Sequence, residues 1–299
     1  MKTTKELSEE YGPICIMITS KDRHSEVALL LESLRHQTYN KFNILILDDN
    51  SGTPLSSCGF FNSLVNCMKL DGHKIRQVRN NLSYGVCFAR NQLIDQQQSW
   101  IPDAKLSCRL DDDVILNSDY LERLVRVIDS GFDMSSGVVP LVMTPEFSRE
   151  IRFVGKIINE HKLDEHGNLV MNNDDCGFTY LEEGILPTQQ FRTNALYKTE
   201  VHKKVRYPST LTTVGFREEG FLSFLSILEG YTIGVDVQAI AKHFQTPSGG
   251  NRRADYGECV KLDDETFRKW IKEMFEKHGN FLEKYNKLLE EKGLLEVRQ

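Results

Sequence analysis

Three adjacent carboxylates, Asp111, Asp112 and Asp113, lie between the run Lys105-Leu106-Ser107-Cys108-Arg109-Leu110 and the apolar triplet Val114-Ile115-Leu116. Like charges this close repel one another, and a strand end stripped of water strengthens the repulsion. Such a cluster is tolerable in solvent or beside a cation. Mg²⁺ and Mn²⁺ favour carboxylate oxygens and keep open positions for substrate phosphates. The flanks here are apolar and strand-like, so the residues point to a cation rather than to a solvated turn.

Two further polar clusters close apolar runs. Thr19-Ser20-Lys21-Asp22 follows Ile14-Cys15-Ile16-Met17-Ile18, and Asp48-Asp49-Asn50-Ser51-Gly52 follows Asn43-Ile44-Leu45-Ile46-Leu47. Short continuous apolar runs of this kind predict strands covered on both faces. Between them, Val27, Leu30, Leu31 and Leu34 recur at helical spacing. A helix over 55–69, a strand near 74–78, a helix over 86–97, a strand at 105–110, a helix over 118–129 and a strand over 132–142 continue the series. Alternating β and α units predict an α/β fold, a Rossmann-like, mainly parallel sheet with helices on both faces. Ligands of such sheets bind beyond the carboxyl ends of the strands. All three polar clusters fall there, which predicts one shared site.

After Pro140 the pattern loosens. Residues 144–190 read as strand–turn–strand with turns at 164–168 and 172–175. A helix over 218–228, a stop at Gly230, a strand over 231–237 and a Gly-rich loop over 245–257 follow. Residues 263–291 predict a charged amphipathic helix or helix pair that packs on the domain or mediates an oligomer or partner contact, with a membrane surface the lesser option.

The 299-residue chain has 37 Lys plus Arg against 43 Asp plus Glu, a net charge of −6. That excludes a global field for nucleic acid. It contains no apolar run of transmembrane length and opens without the apolar stretch of a signal peptide. Seven cysteines, with no CxxC pair, argue against a zinc site or a disulfide framework and for a reducing, cytoplasmic setting.

In order and spacing these stretches resemble a family-2 glycosyltransferase of the GT-A fold, an enzyme that uses nucleotide sugars. The resemblance runs from Gly12 to His243. It rests on Ile16-Met17-Ile18-Thr19-Ser20, Leu34-Arg35-His36-Gln37-Thr38-Tyr39, Leu47-Asp48-Asp49-Asn50-Ser51, Ala89-Arg90-Asn91, Leu110-Asp111-Asp112-Asp113, and Phe216 through Gly230-Tyr231. It implies a catalytic domain over 1–262, with a nucleotide-sugar half at 12–142 and an acceptor and base half at 143–262. A smaller acceptor-side strand region and a C-terminal helical extension, 263–299, complete it.

The resemblance also implies roles. Thr19 and Asp49 would hold the base and ribose, with Lys21 in the same donor-binding turn. A carboxylate accepting an imide N–H favours uracil or thymine, hence a UDP- or dTDP-sugar. Asp113 would contact Mn²⁺ or Mg²⁺, while Asp111 would help it or, with Asp112, touch ribose or sugar hydroxyls. His243 would complete the metal site and tilt it toward Mn²⁺. Arg90 would offer a fork to the diphosphate or the sugar. Lys242, Arg252 and Arg253 would clamp the diphosphate as a lid, and Asn194 would face the acceptor or the sugar. Glu219 aligns with the family's catalytic Asp and becomes the general base, with Glu218 next; Glu in place of Asp is a departure that adds a methylene.

These implications predict a metal-dependent, inverting transfer of a sugar to an acceptor hydroxyl in glycan or polysaccharide synthesis. Two alternatives carry different signatures. A nucleotidyltransferase would open with a Gly-rich phosphate loop, which Thr19–Arg23 lacks. A catalytically silent sugar- or partner-binding domain would keep the donor site yet tolerate loss of the base.

Overall fold

The computed structural model describes residues 2–142, 150–153, 155–166, 168–171, 179–246, 249–250 and 255–295. The chain opens with α1 (Thr4–Tyr11), β1 (Ile14–Ser20), α2 (His24–Arg35), β2 (Phe42–Asp48), α3 (Gly59–Leu70), β3 (Ile75–Arg79), α4 (Val86–Trp100) and β4 (Leu106–Leu110). Next come β5 (Val114–Leu116), α5 (Tyr120–Asp129) and β6 (Met134–Val138), then the two-residue strands β7 (Glu150–Ile151), β8 (Lys162–Leu163), β9 (Leu169–Val170) and β10 (Thr179–Tyr180). The chain continues through β11 (Ile185–Pro187), β12 (Ala195–Lys198), α6 (Val201–Lys204), α7 (Glu218–Leu228), β13 (Ile233–His243), α8 (Tyr256–His278) and α9 (Phe281–Glu291).

The main sheet runs β11-β13-β6-β12-β4-β1-β2-β3, with β5 paired to β13. β4, β1, β2 and β3 are mutually parallel, so their carboxyl ends gather on one edge. β12 enters antiparallel between β4 and β6, and sequence periodicity gave no sign of it. The pleat of β1 sends Ile14, Ile16 and Ile18 into the layer of α2, α3 and α5, and Cys15 and Met17 into the layer of α4 and α7. Both faces are therefore covered, as the two-sided apolar runs require.

Three expectations need correction. Residues 239–242, beyond the strand predicted over 231–237, continue β13 past an irregularity between Val235 and Ile240, and pair Ala241, Lys242 and His243 with Leu116, Ile115 and Val114. Helix α8 starts at Tyr256, inside the stretch read as loop and ahead of the proposed boundary at 263. Its Phe267 and Ile271, with Phe281, Tyr285 and Leu289 of α9, belong to the same core cluster as Phe221 and Phe224 of α7. The C-terminal helices therefore pack on the sheet's own core. Helix α1 was unread, although Thr3 and Glu6 form a reciprocal cap at its start. No described helix is long and apolar enough to cross a membrane.

One core feature sets an acid sensitivity. His202 of α6 is buried with its ring centroid 4.4 Å from that of Tyr197, and neither ring nitrogen has a hydrogen-bond partner. Burial, with Arg206 nearby, pushes its pKa down to about 3. An unfolded His titrates near 6.5, so below that pH the unfolded chain binds the extra proton and stability falls as pH falls. At pH 5 this one group costs about 2 kcal/mol relative to neutral pH. We expect His202→Phe to lose less melting temperature than the wild type between pH 7.5 and pH 5, as read by circular dichroism. Equal losses would refute the assignment.

Candidate active site

The end of β2 separates two neighbouring carboxylates by function. Asp48 faces inward and closes the turn: its oxygens accept from Ser51 N at 2.8 Å, Leu55 N at 3.0 Å and Arg79 Nη1 at 2.6 Å. Asp49 emerges on the other side, where it accepts from Asn80 Nδ2 at 2.9 Å and Ser83 Oγ at 2.5 Å. Each carboxylate oxygen carries two acceptor sites, so Asp49 retains capacity for a ligand N–H or O–H. Asn80 and Ser83 aim it, and neither was singled out in the sequence.

The acid triplet divides in the same way. Asp111, at the end of β4, is gripped by Arg109 and by Thr193, whose hydroxyl donates at 2.5 Å, while Asn194 Oδ1 accepts its backbone N–H at 2.8 Å. Burial opposes its charge, but Arg109 and Arg90 hold the carboxyl well below the usual range. Asp112 and Asp113 turn the other way, toward Arg23, whose Nη1 lies 2.8 Å from Asp112 and 3.1 Å from Asp113. Burial and the Asp113 charge lift Asp112 to about 6 even with Arg23 present. The antiparallel pairing of His243 with Val114 sets His243 Nε2 3.1 Å from Asp113 Oδ1. Burial would lower the His243 pKa, but Asp113 and Asp111 outweigh it and raise it.

The glutamate pair opens α7. Glu219 Oε1 accepts from Arg109 Nη2 at 2.6 Å and from Arg90 Nη1 at 3.3 Å, and Glu218 Oε1 accepts from Arg90 Nη1 at 2.5 Å. Arg90 Nη2 reaches Asp111 at 3.4 Å. Two buried guanidiniums thus tie the acid triplet to the glutamates. Burial first, and the Glu219 charge second, raise the Glu218 pKa well above the ordinary value. The start of α4, which carries Arg90, is locked to the loop before α7 by Gly85. That glycine has φ +97°, and an added Cβ would meet Thr213 Cα at 2.5 Å.

These groups line two adjoining cavities. The first, of about 220 Å³, has Thr19, Lys21, Asp49 and the acid triplet on its walls. The second, of about 500 Å³, has Gln190, Arg192, Arg217 and Glu219. Arg90, Asp111, Glu218, His243 and Tyr256 border both.

A family model described as glycosyl transferase family 2 matches residues 15–205. The chain belongs to glycosyltransferase family 2. The solved structures it resembles share the GT-A fold at low identity. Among them, GalNAc-T7 crystallised with UDP, GalNAc and Mn²⁺ superposes with a TM-score of 0.61 at 11% identity over 94% of this chain and 55% of that one. S. aureus TarS superposes at 0.51 and 15% identity over 78% of this chain and 36% of that one. Its fragment 1–349 gives 0.51 and 13% over 84% and 70%. The chain thus spans about half the length of the first of these. No curated protein sequence matches it.

Within this glycosyltransferase the sequence-derived residues mostly converge. Thr19, Lys21, Asp49, Arg90, Asp111, Asp112, Asp113, Glu218 and His243 share the first cavity, and Glu219 stands in the second. Three donor-side assignments change. Asn194 is fully buried, with φ +56°, and orders the backbone of Asp111 instead of facing an acceptor. Arg90 is no open fork, because its terminal nitrogens are engaged by Glu218, Glu219 and Asp111. Lys242 is exposed beside His243 on a strand, where successive side chains face opposite ways, so it points away from the cavity. Arg252 and Arg253 lie outside the described residues. The sequence reading missed Arg23, Arg109 and Tyr256. The available signal was an arginine inside an otherwise apolar strand and another just after the first polar cluster.

Proposed function

We propose that this family-2 glycosyltransferase moves a sugar from a UDP- or dTDP-sugar to an acceptor hydroxyl with inversion, in glycan or polysaccharide assembly. The observation that carries this reading is Glu218, which stands in the wall common to the two cavities. A base there reaches a hydroxyl in the larger cavity and an anomeric carbon at the mouth of the smaller one. Asp49 and Thr19 would receive the base and ribose. Asp49, with acceptor capacity left over, suits the imide N–H of uracil or thymine.

The donor set fits a hard divalent cation. Asp113 and His243 bring one carboxylate and one imidazole to a common point, and phosphate oxygens and water would supply the rest. Among the described residues no group of three or more His, Cys, Asp or Glu is placed to hold a metal. When bound, Mn²⁺ or Mg²⁺ neutralises charge on the departing diphosphate. The chain's own part is proton transfer and alignment. Glu218 takes the proton as the acceptor oxygen bonds to the anomeric carbon, and the C–O bond to the diphosphate breaks on the opposite face. Glu219, held by Arg109 and Arg90, positions the pair. Asp111, committed to Arg109 and Thr193, is assigned to structure and no longer to the metal.

The test is a panel of nucleotides and nucleotide sugars with Mn²⁺, followed by donor hydrolysis and melting temperature. UDP at a hundredfold its Kd adds about 2.7 kcal/mol of stability. We expect UDP or dTDP to shift the melting temperature where ADP and GDP do not. Asp49→Asn, which trades a charged acceptor for a neutral one, should weaken UDP about tenfold. No hydrolysis and no shift with any donor, with or without metal, would overturn the reading.

A further inference from the structure

Asp112 and Asp113 are buried next to each other, and two buried anions need a counter-charge. The chain supplies one. Arg23 Nη1 lies 2.8 Å from Asp112 Oδ1 and 3.1 Å from Asp113 Oδ2, and Nη2 donates to Thr246 O at 3.3 Å. Its stem is boxed in by backbone. Gly249 has φ +73°, and a Cβ there would meet Arg23 Cγ at 2.6 Å and Asp22 O at 2.8 Å. Gly250 N donates to Lys21 O at 2.8 Å, and a Cβ at Gly250 would lie 3.3 Å from Arg23 Nη2. Gly249, at positive φ and without a side chain, lets the backbone approach the arginine stem this closely.

Asp113 is also the carboxylate that shares a point with His243. Its two oxygens divide the work: Oδ1 faces His243 Nε2 and Oδ2 faces Arg23 and the backbone N–H of Thr246. A divalent ion arriving at Asp113 meets a carboxylate whose charge is already partly neutralised. We propose that Arg23 is a resident counter-ion of the donor site, which weakens the site's hold on a free divalent cation until a nucleoside diphosphate supplies further oxygens. Arg23 thus orders the binding events, nucleotide with or before metal. It spares the empty site a buried pair of uncompensated carboxylates. The inference rests on the reading that Asp113 and His243 receive the cation.

The experiment is a Mn²⁺ titration of the full chain, read by the paramagnetic resonance signal of free Mn²⁺, in the presence and absence of UDP. It compares wild type, Arg23→Gln and Arg23→Lys. Glutamine removes the charge while keeping a donor; lysine keeps the charge. Without nucleotide, Arg23→Gln should bind Mn²⁺ about tenfold more tightly than wild type, and Arg23→Lys should stay within about threefold of it. With UDP the three should converge. Should Arg23→Gln prove unstable when metal-free, recovery of the wild-type melting temperature on addition of Mn²⁺ reports the same exchange. Equal Mn²⁺ affinity in wild type and Arg23→Gln overturns this inference alone. Binding of Arg23→Lys as tight as that of Arg23→Gln overturns the role of charge. No Mn²⁺ binding by any of the three, even with UDP, overturns the metal reading as well.

Discussion

Glu218→Gln retains nucleotide binding and lowers kcat for sugar transfer by about 10²–10⁴-fold, the usual contribution of a positioned base. Two features favour Glu218 over its neighbour. It alone of the pair borders both cavities. Its carboxyl is also pushed upward by burial and by Glu219, which makes the carboxylate a stronger proton acceptor. Glu219 Oε1 is shared between Arg109 and Arg90, and taking a proton there would weaken two buried ion pairs. Glu219→Gln should therefore lose less kcat than Glu218→Gln. The sign of the pH dependence follows. Transfer needs Glu218 without its proton, so the rate rises with pH through a value above the ordinary carboxylate range, and the glutamine variant lacks that limb. Wild-type turnover in Glu218→Gln, with a dead Glu219→Gln, would restore the role to Glu219.

The sequence made the sheet legible because two-sided burial writes continuous apolar runs, and those runs end where the site lies. Asp49, the triplet and the glutamates were legible for the same reason, since an acidic cluster beside a buried strand demands an explanation. Partners were not legible. Arg23 and Asp113 are far apart in sequence, as are Asp113 and His243, and only the pairing of β13 with β5 brings the latter two together. Residues 239–242 show why the strand was misread: an irregularity between Val235 and Ile240 shifts the pairing and breaks the alternation by which a strand is recognised. Asn194 was misplaced because its matching order says nothing of which way it faces. Its left-handed backbone and its bond to the Asp111 amide are products of the β12–β4 register. Arg109 sat unnoticed in an apolar strand, where a lone charge has no visible partner until the strands assemble.

Arg109→Met is expected to destabilise the fold by about 3–5 kcal/mol, the cost of removing one member of a buried charge network. Arg109 is 2% exposed, the largest of the fully buried side chains, and it reaches Asp111, Thr193 and Glu219 at once. Methionine fills much of the volume, so the loss measures electrostatics more than a cavity. What remains is Asp111 and Glu219, two partly buried anions that now share Arg90. Urea unfolding of the wild type, Arg109→Met and the double variant Arg109→Met/Glu219→Gln closes the test. Removing one orphaned charge should recover part of the lost stability, because the two sites share a network and cannot be additive. A loss below about 1 kcal/mol in the single variant would place these carboxylates in contact with water instead. The linkage would then be weak, and the acid triplet and the glutamates would have to be held in register by the backbone alone.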